Sequence, residues 1–177
     1  MTDPLIPAWI DGALQPVNKL EAHRRGLRHP AVSVFVLSGD DVLLQRRASK
    51  KYHTPGLWAN ACCTHPEWGE PPPDCARRRL FEELGIKGLT IHRRGRVEYR
   101  ADVGGGLIEH EVVDVFAAPA PRDLGIDPNP HEVQEVRWIG LDQLAHEVTV
   151  MPENFVPWLR IYVNDYRRMI FGNFTAV

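Results

Sequence analysis

Three short stretches of this sequence carry residue types that do chemistry together. The first is Cys62-Cys63-Thr64-His65-Pro66. A cysteine two residues from a histidine can be a thiol nucleophile with its base, or a pair of metal ligands. A buried thiol beside a surface histidine fits the same pattern equally well. No second Cys/His pair stands at zinc-finger spacing, which argues against a structural zinc finger. The second stretch is Ile108-Glu109-His110-Glu111-Val112. On a strand, residues two apart share a face, so Glu109 and Glu111 would project together. Like charges on one face repel unless a cation or a shared proton lies between them, or water solvates the face. The apolar flanks Leu107, Val112, Val113, Val115 and Phe116 favour a partly buried strand. His23 and His29 lie upstream with no evident core role, and each alone is more often a surface histidine than a ligand. With His65, Glu109 and Glu111 they could complete a set of three imidazoles and two carboxylates, suited to Zn, Mn, Fe or Co.

The third stretch is Arg78-Arg79-Leu80-Phe81-Glu82-Glu83-Leu84-Gly85-Ile86, with Glu70 before it. Glu82 and Glu83 sit near a helix end, where the dipole favours cations instead. A solvated charged face explains such a run. Acidic groups behind paired arginines also suit a Mg²⁺–diphosphate complex, with carboxylates on the hard cation and guanidinium forks on the phosphate oxygens.

These groups need a scaffold. Residues 1–30 read as irregular, rich in Pro, Gly and charge. The apolar run Ala31–Leu37, the turn signal Ser38-Gly39-Asp40 and the run Val42–Arg47 read as a hairpin. Pro71-Pro72-Pro73-Asp74 offers a helix start, Cys75 to Leu84 a helix and Gly85 its stop. Strands are expected around Leu89–His92, Val97–Arg100, Ile108–Ala117 and Val133–Ile139, and a short helix over Leu141–Val148. Phe155, Trp158, Leu159, Tyr162, Tyr166, Met169 and Ile170 recur at spacings of three and four, which predicts a C-terminal helix. Mixed strands with interspersed helices give an α/β (α+β) sandwich.

The chain has 177 residues, enough for one domain spanning 1–177, and it shows no repeat or low-complexity tract. The net charge of -2 gives no general attraction to nucleic acid or anionic membrane. Three cysteines without framework spacing argue against structural disulfides. No apolar run approaches a membrane span, and Met1-Thr2-Asp3-Pro4-Leu5 lacks the regions of a signal peptide, so a cytoplasmic protein is expected; a monomer is expected separately, since the sequence does not give the oligomeric state.

The block from Tyr52 through Pro66, Tyr-His-Thr-Pro-Gly-Leu-Trp-Ala-Asn-Ala-Cys-Cys-Thr-His-Pro, resembles the signature of type 1 isopentenyl-diphosphate isomerases. Arg78 to Ile86 resembles the helix of the wider Nudix superfamily, with Glu70, Arg78, Glu82, Glu83 and Gly85 in place. Thr64 stands where that superfamily has Gly, and Arg79 where it has the first Glu of its acidic cluster. The second departure argues against pyrophosphate hydrolysis and agrees with the isomerase branch. The resemblance implies a Nudix-like mixed β-sheet sandwich flanked by helices. It implies interconversion of isopentenyl and dimethylallyl diphosphate through a tertiary carbocation, in isoprenoid precursor biosynthesis. It assigns catalysis to Cys63, Glu111, Tyr99 and Trp158, and diphosphate binding to Lys19, Arg47, Lys51 and Arg79. A Mn²⁺ or Zn²⁺ centre falls to His23, His29, His65, Glu109 and Glu111, with Cys63 beside it. Glu83 matches the carboxylate for the Mg²⁺ that travels with the diphosphate.

Overall fold

The apolar run at 31–37 is covered on both faces, and its alternation sorts two cores. The computed structural model describes residues 5–172. In chain order the elements are β1 (Leu5–Ile10), β2 (Ala13–Asn18), α1 (Lys19–Arg25), β3 (Arg28–Ser38), β4 (Asp41–Arg47), β5 (Trp58–Asn60) and β6 (Cys62–Thr64). Then come α2 (Pro72–Leu84), β7 (His92–Gly104), β8 (Leu107–Pro119), β9 (Val133–Gly140) and α3 (Leu141–Val150). A 3₁₀ turn (Pro152–Asn154), α4 (Pro157–Asp165) and α5 (Arg167–Phe171) follow. Strands β3 to β9 form one mixed sheet: β3 runs parallel to β8, β7 pairs antiparallel with β8, and β4 pairs antiparallel with β5 and β9.

On β3, Val32, Val34 and Val36 turn toward Cys75, Ala76, Leu80 and Leu84 of α2. Ala31, Phe35 and Leu37 turn the other way, toward Leu144, Trp158, Leu159, Tyr162 and Ile170 of the C-terminal helices. Strand β8 obeys the same period of two, with Val113, Val115 and Ala117 on the α4 side and Phe116 and Ala118 on the α2 side. Phe35, Trp158 and Tyr162 are fully buried, and burial of a side chain of this kind contributes about 1.5–3 kcal/mol. The result is the expected α/β sandwich, a mixed sheet flanked by helices.

Helix α2 begins on Pro72 and stops at Gly85, whose φ of 68° lets its own N–H reach the Phe81 carbonyl and the next N–H, that of Ile86, reach the Leu80 carbonyl. A side chain there would also meet Asp127 Cβ at 2.9 Å, so glycine is required twice over.

The structure departs from the sequence reading in three places. The N-terminal stretch is ordered: β1 and β2 form a hairpin turned by Asp11 and Gly12, both at positive φ, and α1 follows. The first four residues of that stretch lie outside the described residues. Residues 89–91 are not strand, and one long β7 replaces the two short strands expected. The C-terminal helix starts at Pro157 and breaks at Tyr166, whose φ of -123° interrupts the turn.

Candidate active and metal site

Parity along β8 builds the first half of the site. Glu109 and Glu111 continue the row of Val113 and Val115, so both point to the α4 side, and they are 2% and 1% exposed. Register sets Tyr99 of β7 opposite Glu111 from one side and His29 of β3 opposite it from the other. The Tyr99 hydroxyl lies 3.0 Å from Glu109 Oε2 and 2.8 Å from Glu111 Oε2. One hydroxyl has one proton, so it donates to one carboxylate at a time. Burial, then the charge of Glu111, pushes the Glu109 carboxyl well above the usual range. Burial also raises Glu111, but the contacts from His29 and His65 outweigh it and hold that carboxyl well below the range.

The histidines converge on the same point. His23 Nδ1–H donates to the Lys19 carbonyl at 2.7 Å, one turn back in α1, and His29 Nδ1–H donates to the Leu27 carbonyl at 2.6 Å. A carbonyl only accepts, so each ring carries a proton on Nδ1 and turns its Nε2 inward. The Nε2 atoms of His29 and His65 face each other at 3.1 Å, and His65 Nε2 is 2.9 Å from Glu111 Oε1. His23 Nε2 is buried with no protein partner. Donor atoms of His23, His29, His65 and Glu111 all lie within 4.8 Å of one another, and so do those of His23, His53 and Glu109. Burial above all lowers His23 to about 4 and His65 well below its ordinary value, so both rings are neutral at neutral pH, the form that binds metal. Imidazole nitrogens and carboxylate oxygens crowd together here. A divalent cation fits that donor set.

Cys62 and Cys63 share β6 and face opposite ways. Cys62 packs in the α2 core with its Sγ 3.8 Å from Glu83 Oε1. Cys63, paired across to Ser33 of β3, opens on the cavity that Glu109, Glu111 and His65 line. Burial, then Glu111 and Glu109, pushes the Cys63 thiol well above its ordinary value. A thiol that keeps its proton is a proton carrier, not a nucleophile.

The second half is basic. Arg47 ends β4 and is 7% exposed; its Nη2 donates to His53 Nδ1 at 3.2 Å and to the His53 carbonyl at 3.3 Å. Arg79 lies one turn before Glu83 on α2 and donates to Glu83 Oε1 at 2.7 Å, while Gln45 Nε2 donates to Glu83 Oε2 at 2.8 Å. The Nε–H groups of Arg47 and Arg79 are buried without a protein partner. Burial, then the charges of Lys51, Arg79 and Arg47, lowers Lys19 to about 8. Four crowded cations with unused donors call for an anion of several oxygens. Glu70 bonds to Arg78 at 2.7 Å, and Glu82 to Arg78 at 3.1 Å and Arg79 at 2.8 Å; of the α2 carboxylates, Glu83 is the one that lines the cavity.

Every residue to which the resemblance assigns a role therefore adjoins one cavity. His23 and His29 reach it through the donor cluster and Tyr99 through the carboxylates; the others form its walls. Trp158 is both core and wall: it is 1% exposed, and Arg47 Cζ lies 5.4 Å from its ring centroid. The space left is about 20 Å³, room for one water. Two further residues escaped the sequence reading. His53 sits within the Tyr52–Pro66 block, and its Nε2 is 3.5 Å from Glu109 Oε1. Tyr162 is fully buried with no hydrogen-bond partner for its hydroxyl, on the helical spacing that flagged it as core.

The NUDIX domain model matches residues 27–159. An isopentenyl-diphosphate Delta-isomerase of Cereibacter sphaeroides is 64% identical over 173 residues, covering 98% of both chains. One of Dinoroseobacter shibae is 65% identical over 168 residues, covering 95% of this chain and 96% of its own. Among solved structures, a Deinococcus radiodurans protein superposes with a TM-score of 0.73 at 15% identity, covering 94% of this chain and 99% of that one. A MutT protein of Methanosarcina mazei gives 0.63 at 17% identity, covering 80% of this chain and 94% of that one. These two likenesses speak for the fold, and the two close relatives for the branch: the chain belongs to the isopentenyl-diphosphate Delta-isomerase family, built on a NUDIX domain.

Proposed function

We propose that this chain interconverts isopentenyl diphosphate and dimethylallyl diphosphate, supplying precursors for isoprenoid biosynthesis. The observation that carries the reading is a cysteine thiol and a carboxylate, Cys63 and Glu111, lining one cavity beside a basic pocket with unused guanidinium donors. The reaction adds a proton to the terminal alkene carbon, creates a tertiary cation at the branch, and removes a proton from the carbon beyond it. Protons balance, and the diphosphate is untouched.

Lys19, Arg47, Lys51 and Arg79 seat the diphosphate, and Glu83 meets the Mg²⁺ that comes with it as part of the substrate. Anchoring the charged end holds the small alkene between the reacting groups. Cys63 holds a proton at Sγ, and Glu111 has an open site for one. One proton on the pair is what a donor and an acceptor on opposite faces need, in whichever direction the equilibrium runs. The Tyr99 hydroxyl orients Glu111 and shares its charge. His23, His29, His65, Glu109 and Glu111 would hold a divalent cation, Mn²⁺ or Zn²⁺, which supplies positive charge that lowers the proton affinity of Glu111. The Trp158 ring gives the cationic carbon a π face, worth about 2 kcal/mol in a dry site, and no nucleophile to trap it.

We read the protein as a cytoplasmic monomer acting on a small molecule without nucleic acid; among the described residues no helix is long and apolar enough to cross a membrane. The test is incubation with isopentenyl diphosphate and Mg²⁺ in D₂O, followed by NMR. Deuterated dimethylallyl diphosphate without free phosphate is the expected product. Released phosphate, or unchanged substrate with folded and metal-loaded protein, would refute the reading.

A further inference from the structure

The basic pocket already holds an anion of its own. Glu132 lies in the turn just before β9, and its backbone fixes where its side chain goes. Its N–H donates to the Asn129 carbonyl at 2.9 Å, and its carbonyl accepts from the Ala48 N–H at 2.9 Å, one residue past Arg47. The side chain then meets two cations of the pocket wall. Lys51 Nζ donates to Glu132 Oε2, and Arg79 Nη2 stands 3.6 Å from the same oxygen. This side chain is 23% exposed and that of Lys51 20%, so the contact is partly shielded from water. Burial alone would raise the Glu132 carboxyl, yet the bond from Lys51 and the charges of Lys51, Arg79 and Lys19 hold it below the usual range. Glu132 thus spends its charge chiefly on Lys51 and, at longer range, on Arg79, whose nearer partners are Glu82 at 2.8 Å and Glu83 at 2.7 Å; both cations are among the four assigned to the diphosphate. Glu83 is a different case: it is fixed by Arg79 on one oxygen and Gln45 on the other, deep under α2.

We infer that Glu132 is an internal competitor for the diphosphate group: its carboxylate neutralises Lys51 and Arg79 in the ligand-free protein, and an incoming diphosphate displaces it. The inference rests on the diphosphate reading of this pocket. It has a kinetic consequence. Substrate and product carry the same diphosphate, so a carboxylate that contests those cations weakens both to the same degree. Uniform weakening raises KM and leaves the chemical step alone. It also gives the cations a partner to return to as product departs.

A rival role has the opposite sign. If Glu132 joined Glu83 on the Mg²⁺ of the diphosphate, removing it would weaken binding. Glu132→Gln distinguishes them, because it keeps shape and removes charge. Glu135→Gln is the control: Glu135 lies on β9 with its side chain 54% exposed, in an ion pair with Arg46 at 3.7 Å, so it removes the same charge away from the pocket. Inorganic pyrophosphate with Mg²⁺ is the probe, measured by calorimetry and as an inhibitor, beside KM and kcat for isopentenyl diphosphate. Expected for Glu132→Gln is a dissociation constant for pyrophosphate about tenfold lower, equivalent to about 1.4 kcal/mol. KM should fall in parallel, with kcat within about twofold. Weaker pyrophosphate binding with a higher Mg²⁺ requirement overturns the inference in favour of a metal ligand. Constants that match Glu135→Gln overturn it in favour of a plain structural ion pair. Tighter pyrophosphate binding in a protein that turns over no isopentenyl diphosphate would keep the inference and sink the proposed reaction. A parent protein that binds no pyrophosphate sinks the inference itself.

Discussion

Tyr99→Phe tests the proton-transfer face with the smallest change available. The ring is nine-tenths buried between β8 and α4, so phenylalanine keeps the packing and deletes one oxygen. That oxygen is 2.8 Å from Glu111 and 3.0 Å from Glu109, both almost wholly out of water. A hydrogen bond to a charged group contributes about 1.5–3 kcal/mol net. If all of it is felt as the proton moves to or from Glu111, the rate falls roughly 10- to 150-fold. Tyr99 holds Glu111 in the resting protein as well as during transfer, so the lower half of that range is expected. KM for isopentenyl diphosphate should stay within about twofold, because the hydroxyl bonds to Glu109 and Glu111 and not to Lys19, Arg47, Lys51 or Arg79. The assay is initial-rate NMR in D₂O on metal-loaded protein, with thermal unfolding of both proteins to show that the fold is intact. A kcat within about threefold of the parent would refute the reasoning and reduce the two contacts to packing. So would a raised KM at unchanged kcat, which would put Tyr99 in substrate binding.

Other perturbations separate the parts. Cys63→Ala should abolish isomerisation, whereas Cys62→Ala, which trims a side chain on the opposite face of β6, should keep most of it; equal losses in initial-rate assays would discredit the division by strand parity. Lys19 is the pH-sensitive cation: crowded to about 8, it is charged below that pH and neutral above it. KM should therefore climb as pH rises past about 8, and Lys19→Arg should shift that limb upward; a KM profile flat to pH 10 would contradict it. Removing metal with a chelator should lower the melting temperature, since a cation that binds the folded form alone stabilises it by mass action. His23→Ala should melt at nearly the same temperature with or without chelator, and a chelator effect undiminished by that change would remove His23 from the ligand set.

The parts that sequence exposed are those governed by short periods. Alternation at 107–117 put Glu109 and Glu111 on one side of a strand, and the structure has them on one side of β8. The α2 stop at Gly85 was legible because positive φ has few residues that tolerate it. The N-terminal hairpin was obscured by Pro7 and Pro16, which normally speak against a strand. In the structure those two prolines face each other. Counting back from the closing pair Ile10↔Ala13, alternate pairs exchange hydrogen bonds, and Pro7↔Pro16 falls on a pair that exchanges none. The hairpin thus has no use for either missing N–H. The Asp11-Gly12 turn was the available signal. His53 left no such trace, since its contacts are with Arg47 and Glu109, and nothing periodic brings a loop histidine to a residue on β8.

That loop histidine also shows why the two halves of the site are not independent. An arginine N–H can only donate, so the contact from Arg47 Nη2 makes His53 Nδ1 the acceptor and leaves the ring proton on Nε2. Burial, then the charge of Arg47, lowers His53 to about 2, so the ring stays neutral and the assignment is not blurred by a second proton. The Nε2–H then faces Glu109 Oε1 at 3.5 Å, and the same guanidinium lies over the Trp158 ring. Arg47 therefore has one side toward the cavity for an anion and the other toward the group that aims a candidate metal-binding carboxylate. On the proposed function, a diphosphate that drew the guanidinium toward itself would act on His53 through a single hydrogen bond, and on Glu109 through the next contact. Binding at the charged end of the substrate would then be joined to the setting of the carboxylates by that short chain, which runs through side chains that are each less than a tenth exposed.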